Sequence, residues 1–426
     1  MIINWFYKFI LFSLIFLVFQ IEAKAQKFSG SRILDSLIQV ALENNPEILS
    51  SKYSFQAAEF KAKSAGTIPD PKFMIAALNM PRSSLSFDET PMSGIALGVS
   101  QTLPWPGRSK AQKAVAQLLS KKQQQNILQN ENNIIRMVKH FYFEYSYWTK
   151  ARQILDNNLE LIGFLINIAE TKYANGTSSA QDALRAQTTA AKLKNKRLSM
   201  TQMAQTALLN IGHIIDDPSV VHKTLMANIP ENMDNAFPVI ESNNPQLTKA
   251  KLHTSISDKN LYLAKSGYYP NFTFGLDYRI RKDIPMDALH GEDFVTVKVG
   301  FQLPLWFFAR QNNQTKSARF AQKAANENYH AVQNNINKKI SAVKLLMTRL
   351  TESFAQYNNS IMPQAMAAYE AAQVAYEVGE VDFNALLMAQ LDLFEIELEQ
   401  IALLKNYWQK HAELVELSGG NIKVIL

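Results

Sequence analysis

The sequence predicts a mainly α-helical chain with a small β part, and three observations carry that prediction. Gly107 to Tyr173 contains no proline, and Gly163 is its only glycine after the first residue. Elsewhere, short segments switch to alternating apolar and polar side chains, the period of a strand. The whole order of breakers and periodic runs then occurs a second time, about 200 residues later.

The composition supports a folded chain. Of 426 residues, 47% are hydrophobic and 19% charged, which argues against disorder. The formal charge of +7 is spread along the sequence. Its densest patches, such as Lys192 to Arg197, fall on predicted helices without interleaved aromatics, so nucleic acid is not an expected partner. Without cysteine there is no disulfide, thiolate metal site or acylated N-terminal Cys.

At the start of the chain, Lys8 precedes the apolar run Phe9 to Phe19, followed by Ala23-Lys24-Ala25. This is the pattern of a signal peptide over residues 1–25 of an exported protein, with a retained anchor as the lesser alternative. No later stretch reaches the roughly 18 apolar residues of a membrane-spanning helix.

In order, Arg32 to Lys63 is helical in pattern, with a cap near Ser29 or Ser31 and Ile33, Leu37, Val40 and Ala41 on one face. Asn44-Asn45-Pro46 interrupts it, and Gly66 to Pro71 ends it. Lys72 to Asn79 and Ser93 to Leu103 are strand candidates; the second puts Ile95, Leu97, Val99 and Leu103 on one face. Leu103-Pro104-Trp105-Pro106-Gly107 then opens the long helix. In it Ile127, Ile134, Phe141, Trp148, Leu155, Ile162 and Ala169 recur every seventh residue, and Val138, Tyr145, Leu159 and Ile166 fill a second position of the same heptad, the seam of a coiled coil. About 67 residues at 1.5 Å each make a strut of roughly 100 Å. It stops at Tyr173-Ala174-Asn175-Gly176, and a return helix runs from about Ala180 to Ile211. Asp216 to Pro238 reads as irregular.

The second half repeats this plan. Asn243-Asn244-Pro245 matches Asn44-Asn45-Pro46, and Leu303-Pro304 matches Leu103-Pro104. A second long run, Arg310 to Tyr376, carries Ile340, Val343, Met347, Leu350, Phe354, Tyr357 and Ile361 at alternating threes and fours. Pro363 inside it predicts a bend but no end to the helix. Tyr376-Glu377-Val378-Gly379 repeats the first turn, and Leu387, Phe394, Ile401, Trp408 and Val415 form the seam of the last helix. The expected division is a first repeat over residues 26–242 and a second over 243–426.

The second hairpin is the most informative. Phe272, Phe274, Leu276, Tyr278 and Ile280 alternate with polar residues, as do Val295, Val297, Val299 and Phe301 on its partner. Strands of about ten residues fit a tilted membrane-spanning strand. The opposite face, with Asp277, Arg279, Arg281, Lys298 and Gln302, reads as a water-filled lumen whose cations look unpaired. Four strands cannot close a barrel in lipid, so several copies must share one, and symmetry then rings the helices too. The expected fold is a short β-barrel continuous with a coiled-coil α-helical barrel in a cyclic oligomer.

The duplicated helix–hairpin–long-helix plan resembles the TolC-type outer-membrane efflux proteins over nearly the whole chain. The Tyr-x-x-Gly turns followed by Leu-x-Ala-Gln, Tyr173 to Gln187 and Tyr376 to Gln390, add to the likeness. Pro69-Asp70-Pro71 and Leu103-Pro104-Trp105-Pro106-Gly107-Arg108 are similar to the cation-efflux, CzcC-like branch. The resemblance implies a homotrimer in the outer membrane of a Gram-negative bacterium, with its helical barrel in the periplasm. It implies a passive duct for metal cations or small toxic compounds, served by a periplasmic adaptor and an inner-membrane pump of RND type. It also implies a gate at the helical tips, here Tyr173, Gly176, Asp182, Tyr376, Gly379, Glu380 and Asp382. The family's pair of carboxylates beyond the second turn is missing: those positions hold Ala385 and Met388.

No nucleotide-binding glycine loop, His-Glu-x-x-His or nucleophile elbow occurs, and the seven histidines are scattered. Met74, Met80 and Met92 read more simply as lipid-facing or loop filler than as a soft-metal site. Neither cofactor nor enzymatic activity is expected. A periplasmic coiled-coil scaffold that never enters the membrane is the alternative to a duct.

Overall fold

The computed structural model describes residues 32–222, 225, 227–233, 244–285 and 287–420. The expected signal peptide, the cap at Ser29 or Ser31, and Asn243 lie outside them. The helices are α1 (residues 32–44), α2 (Pro46–Ser64), α3 (Arg108–Ala174), α4 (Ala180–Ile214), α5 (Pro245–Ser266), α6 (Gln311–Gln356), α7 (Met362–Glu377) and α8 (Phe383–Leu417). The strands are β1 (Lys72–Leu78), β2 (Gly94–Leu103), β3 (Asn271–Ile280) and β4 (Phe294–Gln302). The segment expected to be irregular holds a short 3-10 helix at Pro218–His222. Two compact units result: one from residues through Ser50, Ile127–Pro245 and Asn334 onward, the other from Ser51–Asn126 and Gln246–Gln333.

In the first unit the α8 seam and the later part of the α3 seam become the core, whereas Ile127, Phe141 and Trp148 of the expected α3 seam are only half-buried. Leu155, Ile162 and Ala169 of α3 are buried with Ala183, Ala186, Ala190 and Leu193 of α4 and with Phe383, Leu387, Phe394 and Ile401 of α8. Alanines on α4 let the helix backbones approach closely. Val138 and Tyr145 of the second heptad position are buried, and so are Ala151 and Leu165, on a further row of α3 that periodicity alone did not single out. On α1 the buried stripe is Leu34, Leu37, Ile38 and Ala41, so the face is rotated from the expected one. The observed spacing of three and four residues is that of one helical stripe.

The repeated Asn-Asn-Pro motif has a mechanical role. Asn45 Nδ2 donates to the carbonyl of Ile214, the last residue of α4, at 2.8 Å, and its Oδ1 accepts from Glu47 N at 2.9 Å. Asn244 Nδ2 donates in the same way to Leu417, the last residue of α8, at 2.7 Å. Each asparagine therefore satisfies a carbonyl at the end of a return helix, while proline opens the next helix without needing a donor. Asn45→Asp should keep the cap but set a carboxylate against the Ile214 carbonyl. A loss of about 1–3 kcal/mol is expected on chemical unfolding, and an unchanged midpoint would refute the role.

The bend expected at Pro363 takes the form of a π turn, Tyr357–Ile361, between α6 and α7. Met362 N reaches back five residues to Tyr357 O. Proline lacks the N–H for the carbonyl four residues earlier and crowds it, and the widened turn relieves both. The three segments of 46, 5 and 16 residues together match the 67 of α3. Ile340, Val343, Met347 and Leu350 are buried, whereas Phe354, Tyr357 and Ile361 are only half-buried as the seam passes into the π turn.

In the second unit all four strands form one antiparallel sheet in the order β1-β2-β3-β4. The two hairpins thus join through β2 and β3, with Ile95 opposite Ile280 and Leu103 opposite Phe272. Residues directly opposite share a face, so Phe73, Ile75, Val99, Leu276, Val297 and their neighbours form a continuous apolar face. In the single chain that face is exposed, Val297 by 74%.

Candidate functional site at the helix tips and on the sheet

The tips belong to the first unit. Gly176 and Gly379 both have positive φ, +74° and +82°, where a side chain would be strained. Thr177 N donates to Lys172 O at 2.9 Å and Glu380 N to Ala375 O at 2.8 Å, so both long helices end in the same glycine-based cap.

Matched tip residues nevertheless differ in environment. Tyr376 is buried against Phe383, and the Lys172 ammonium sits 3.9 Å above its ring while donating to its carbonyl at 3.2 Å. Burial, and then the charge of Asp182, push the Tyr376 hydroxyl above its ordinary pKa. Tyr173, its counterpart, is exposed. Likewise Leu387 is buried and Leu184 exposed. A further link joins the repeats, from Arg185 to Asn384 Oδ1 at 2.6 Å.

The acids at the tips have separate tasks. Asp382 is the N-cap of α8, its Oδ1 accepting from Ala385 N at 2.8 Å. Ser178 donates to Asp182 Oδ2 at 2.6 Å, and Ser179 caps α4. Glu380 is exposed and has no ion-pair partner among the described residues. The basic stretch Lys192 to Arg197 is engaged within the chain, through Arg197 to Asp156 at 2.5 Å and Lys196 to Glu395 at 3.4 Å.

On the sheet, the polar face carries Asp277, Arg279, Lys298 and, at the end of β4, Gln302. Two of the expected free cations are instead paired. Lys298 forms an ion pair with Asp277. Gly98 makes room for it, since a Cβ there would lie 2.5 Å from Asp277 Oδ1. Arg281 follows the end of β3, and its side chain is only 1% exposed. It pairs with Asp287, donates to Glu292 O at 3.1 Å, and lies 4.5 Å from the Phe294 ring centre. Arg281 is thus a staple of the hairpin loop and not a lumen charge, because a buried guanidinium needs its partners around it. Backbone N–H groups of Leu289 and Gly291, with Arg281, hold the Asp287 carboxyl below its ordinary range. Strand alternation could not place Arg281, since the loop partners are up to 12 residues distant. Met74, opposite Gly98, also joins the polar face. Among the described residues no group of His, Asp and Glu is arranged to hold a metal ion.

The geometry of the described residues is one of packed helix seams and a two-faced sheet. The sequence profile of the outer membrane efflux proteins matches residues 37–215 and again 238–420. No curated relative matches by sequence. Among solved structures, the chain is similar to the outer membrane protein VceC of Vibrio cholerae, with 17% identity, a TM-score of 0.80, and coverage of 93% of this chain and 98% of that one. It is also similar to the CmeC outer membrane channel of Campylobacter jejuni, with 14% identity, a TM-score of 0.74, and coverage of 91% and 85%. The open state of the MtrE outer membrane channel of Neisseria gonorrhoeae gives 14% identity, a TM-score of 0.72, and coverage of 92% and 89%. The chain belongs to the outer membrane efflux protein family, and is an exit duct of the outer membrane rather than an enzyme or a scaffold confined to the periplasm.

Proposed function

We propose that this duct assembles as a homotrimer, three sheets of four strands closing one barrel, and passes cargo received from a periplasmic adaptor and an inner-membrane pump of RND type. The observation that carries the reading is the open-edged sheet, apolar and uncovered on one face and polar on the other. Lipid on the apolar face and further copies at the β1 and β4 edges complete it. The unlike pairs at the tips add support. Tyr376 and Leu387 are buried within the chain, while Tyr173 and Leu184 stay exposed, as expected if a neighbouring copy covers the first repeat.

Residues 1–25 are then the export signal, and 26–242 and 243–426 the two repeats; the equal helix lengths and the double profile match support that division. Metal cations or small toxic compounds are the candidate cargo, the former favoured by Pro69-Asp70-Pro71 and the CzcC-like branch. The detergent-solubilised protein is expected to have the mass of three chains. A stable dimer, or a monomer that conducts ions, would sink the proposal.

At the tips, the gate residues are Tyr173, Gly176, Asp182, Tyr376, Gly379, Glu380 and Asp382. Threefold repetition would gather the Glu380 carboxylates into a negative ring that attracts cations. Glu380→Gln with Asp382→Asn should lower cation selectivity and multivalent block in single-channel recordings. Because asparagine also caps helices well, thermal stability should move little. Unaltered selectivity would rule out the ring and leave Asp382 with its cap alone.

A further inference from the structure

The two linkers that lead from a strand into a long helix are not alike, and the apolar side chains of the second are left uncovered among the described residues. In the first, Trp105 stacks on Tyr269 at 4.6 Å and lies 6.1 Å from Phe272. In the second, Leu305, Trp306 and Phe308 are exposed by 71%, 77% and 75%. This linker is ordered: Arg310 N donates to Trp306 O at 2.9 Å, closing one helical turn, and the Phe307 and Phe308 rings lie 4.1 Å apart. Arg310 is exposed at the end of that turn.

We propose that Leu305 to Arg310 is an interfacial anchor that inserts into the phospholipid leaflet at the helix end of the strands, with Arg310 at the headgroup phosphates. The proposal rests on the membrane reading of the sheet. The apolar face of β4 continues through Phe301 and Leu303 directly into this turn, so a lipid surface lying against the strands also meets Trp306. Trp carries an apolar body and a polar N–H, and Arg pairs with phosphate while its stem lies on apolar surface, which suits both to the boundary between chains and headgroups. A second copy is a poorer occupant. Register places Lys72 and Gln302 at the same end of the sheet, so barrel closure would bring Pro69-Asp70-Pro71-Lys72 of the neighbour alongside, an exposed and polar stretch.

The test is depth-dependent quenching in vesicles of phosphatidylethanolamine and phosphatidylglycerol whose acyl chains are brominated either near the headgroup or near the chain end. The Trp306 signal is the emission lost on Trp306→Phe. It is expected to fall by at least about half with the shallow bromines and less with the deep ones, as an interfacial tryptophan should. Quenching by aqueous acrylamide without quenching by lipid would overturn the anchor, and so would protection from both, which would mean burial between copies. Val297→Trp, in the Trp306→Phe background, reports on the sheet itself and should be quenched by the deep bromines. If Val297→Trp responds and Trp306 does not, only the anchor fails. If neither responds, the membrane reading fails with it.

Discussion

Val297→Arg is expected to prevent most of the protein from assembling in the outer membrane, at a cost of roughly 2–4 kcal/mol per chain near the bilayer midplane. Val297 lies mid-strand in β4, opposite Leu276, on the uncovered apolar face. Leu276→Arg should behave alike. Thr296→Arg, one residue earlier, points to the other face beside Asp277 and should assemble nearly as the parent does. The contrast between adjacent positions removes general effects of adding arginine to a strand. The measure is the fraction of detergent-extracted protein that runs as the oligomer. Equal defects at Val297 and Thr296 would mean that the faces are wrongly assigned.

Phe394→Ala should produce the largest loss within the helical unit, about 3–5 kcal/mol, from lost burial and the cavity left behind. Phe394 is 1% exposed, in a cluster drawn from α3, α4, α7 and α8, and the Lys196 ammonium lies 4.9 Å from its ring centre. The truncation therefore weakens the contact between repeats as well as the packing of α8. The expected readout is a lower denaturant midpoint for the loss of helical circular dichroism. Leu198→Ala removes a side chain that is 69% exposed in the single chain and serves as comparison. A midpoint shift no larger than that of Leu198→Ala would show that the cluster is not a core.

Much of this architecture is written locally. A helix as long as α3 needs only the absence of proline and a sustained apolar repeat, and both are visible residue by residue. The ends of the long helices follow from Gly176 and Gly379, because few other residues take a left-handed cap. Strand faces follow from alternation, since side chains of an extended chain must point to opposite sides. On a helix the corresponding signal is the heptad, which made Leu387, Phe394, Ile401, Trp408 and Val415 legible as a seam, and all five are buried.

Tertiary structure alone decided what depends on a partner distant in sequence. Tyr173 and Tyr376 occupy the same motif, yet Tyr173 is exposed while Tyr376 is covered by Phe383 and by Lys172 of the other repeat. Arg281 and Lys298 looked like free lumen charges, and Asp287 and Asp277 claim them; the buried Arg281 needs its counter-charge because it has left water, whereas the exposed Lys298 meets Asp277 across the strands. Asn45 and Asn244 were visible as a repeated motif, but their bonds to Ile214 and Leu417 span 169 and 173 residues. Periodicity describes what a segment does along its own axis, and these contacts arise where one axis meets another.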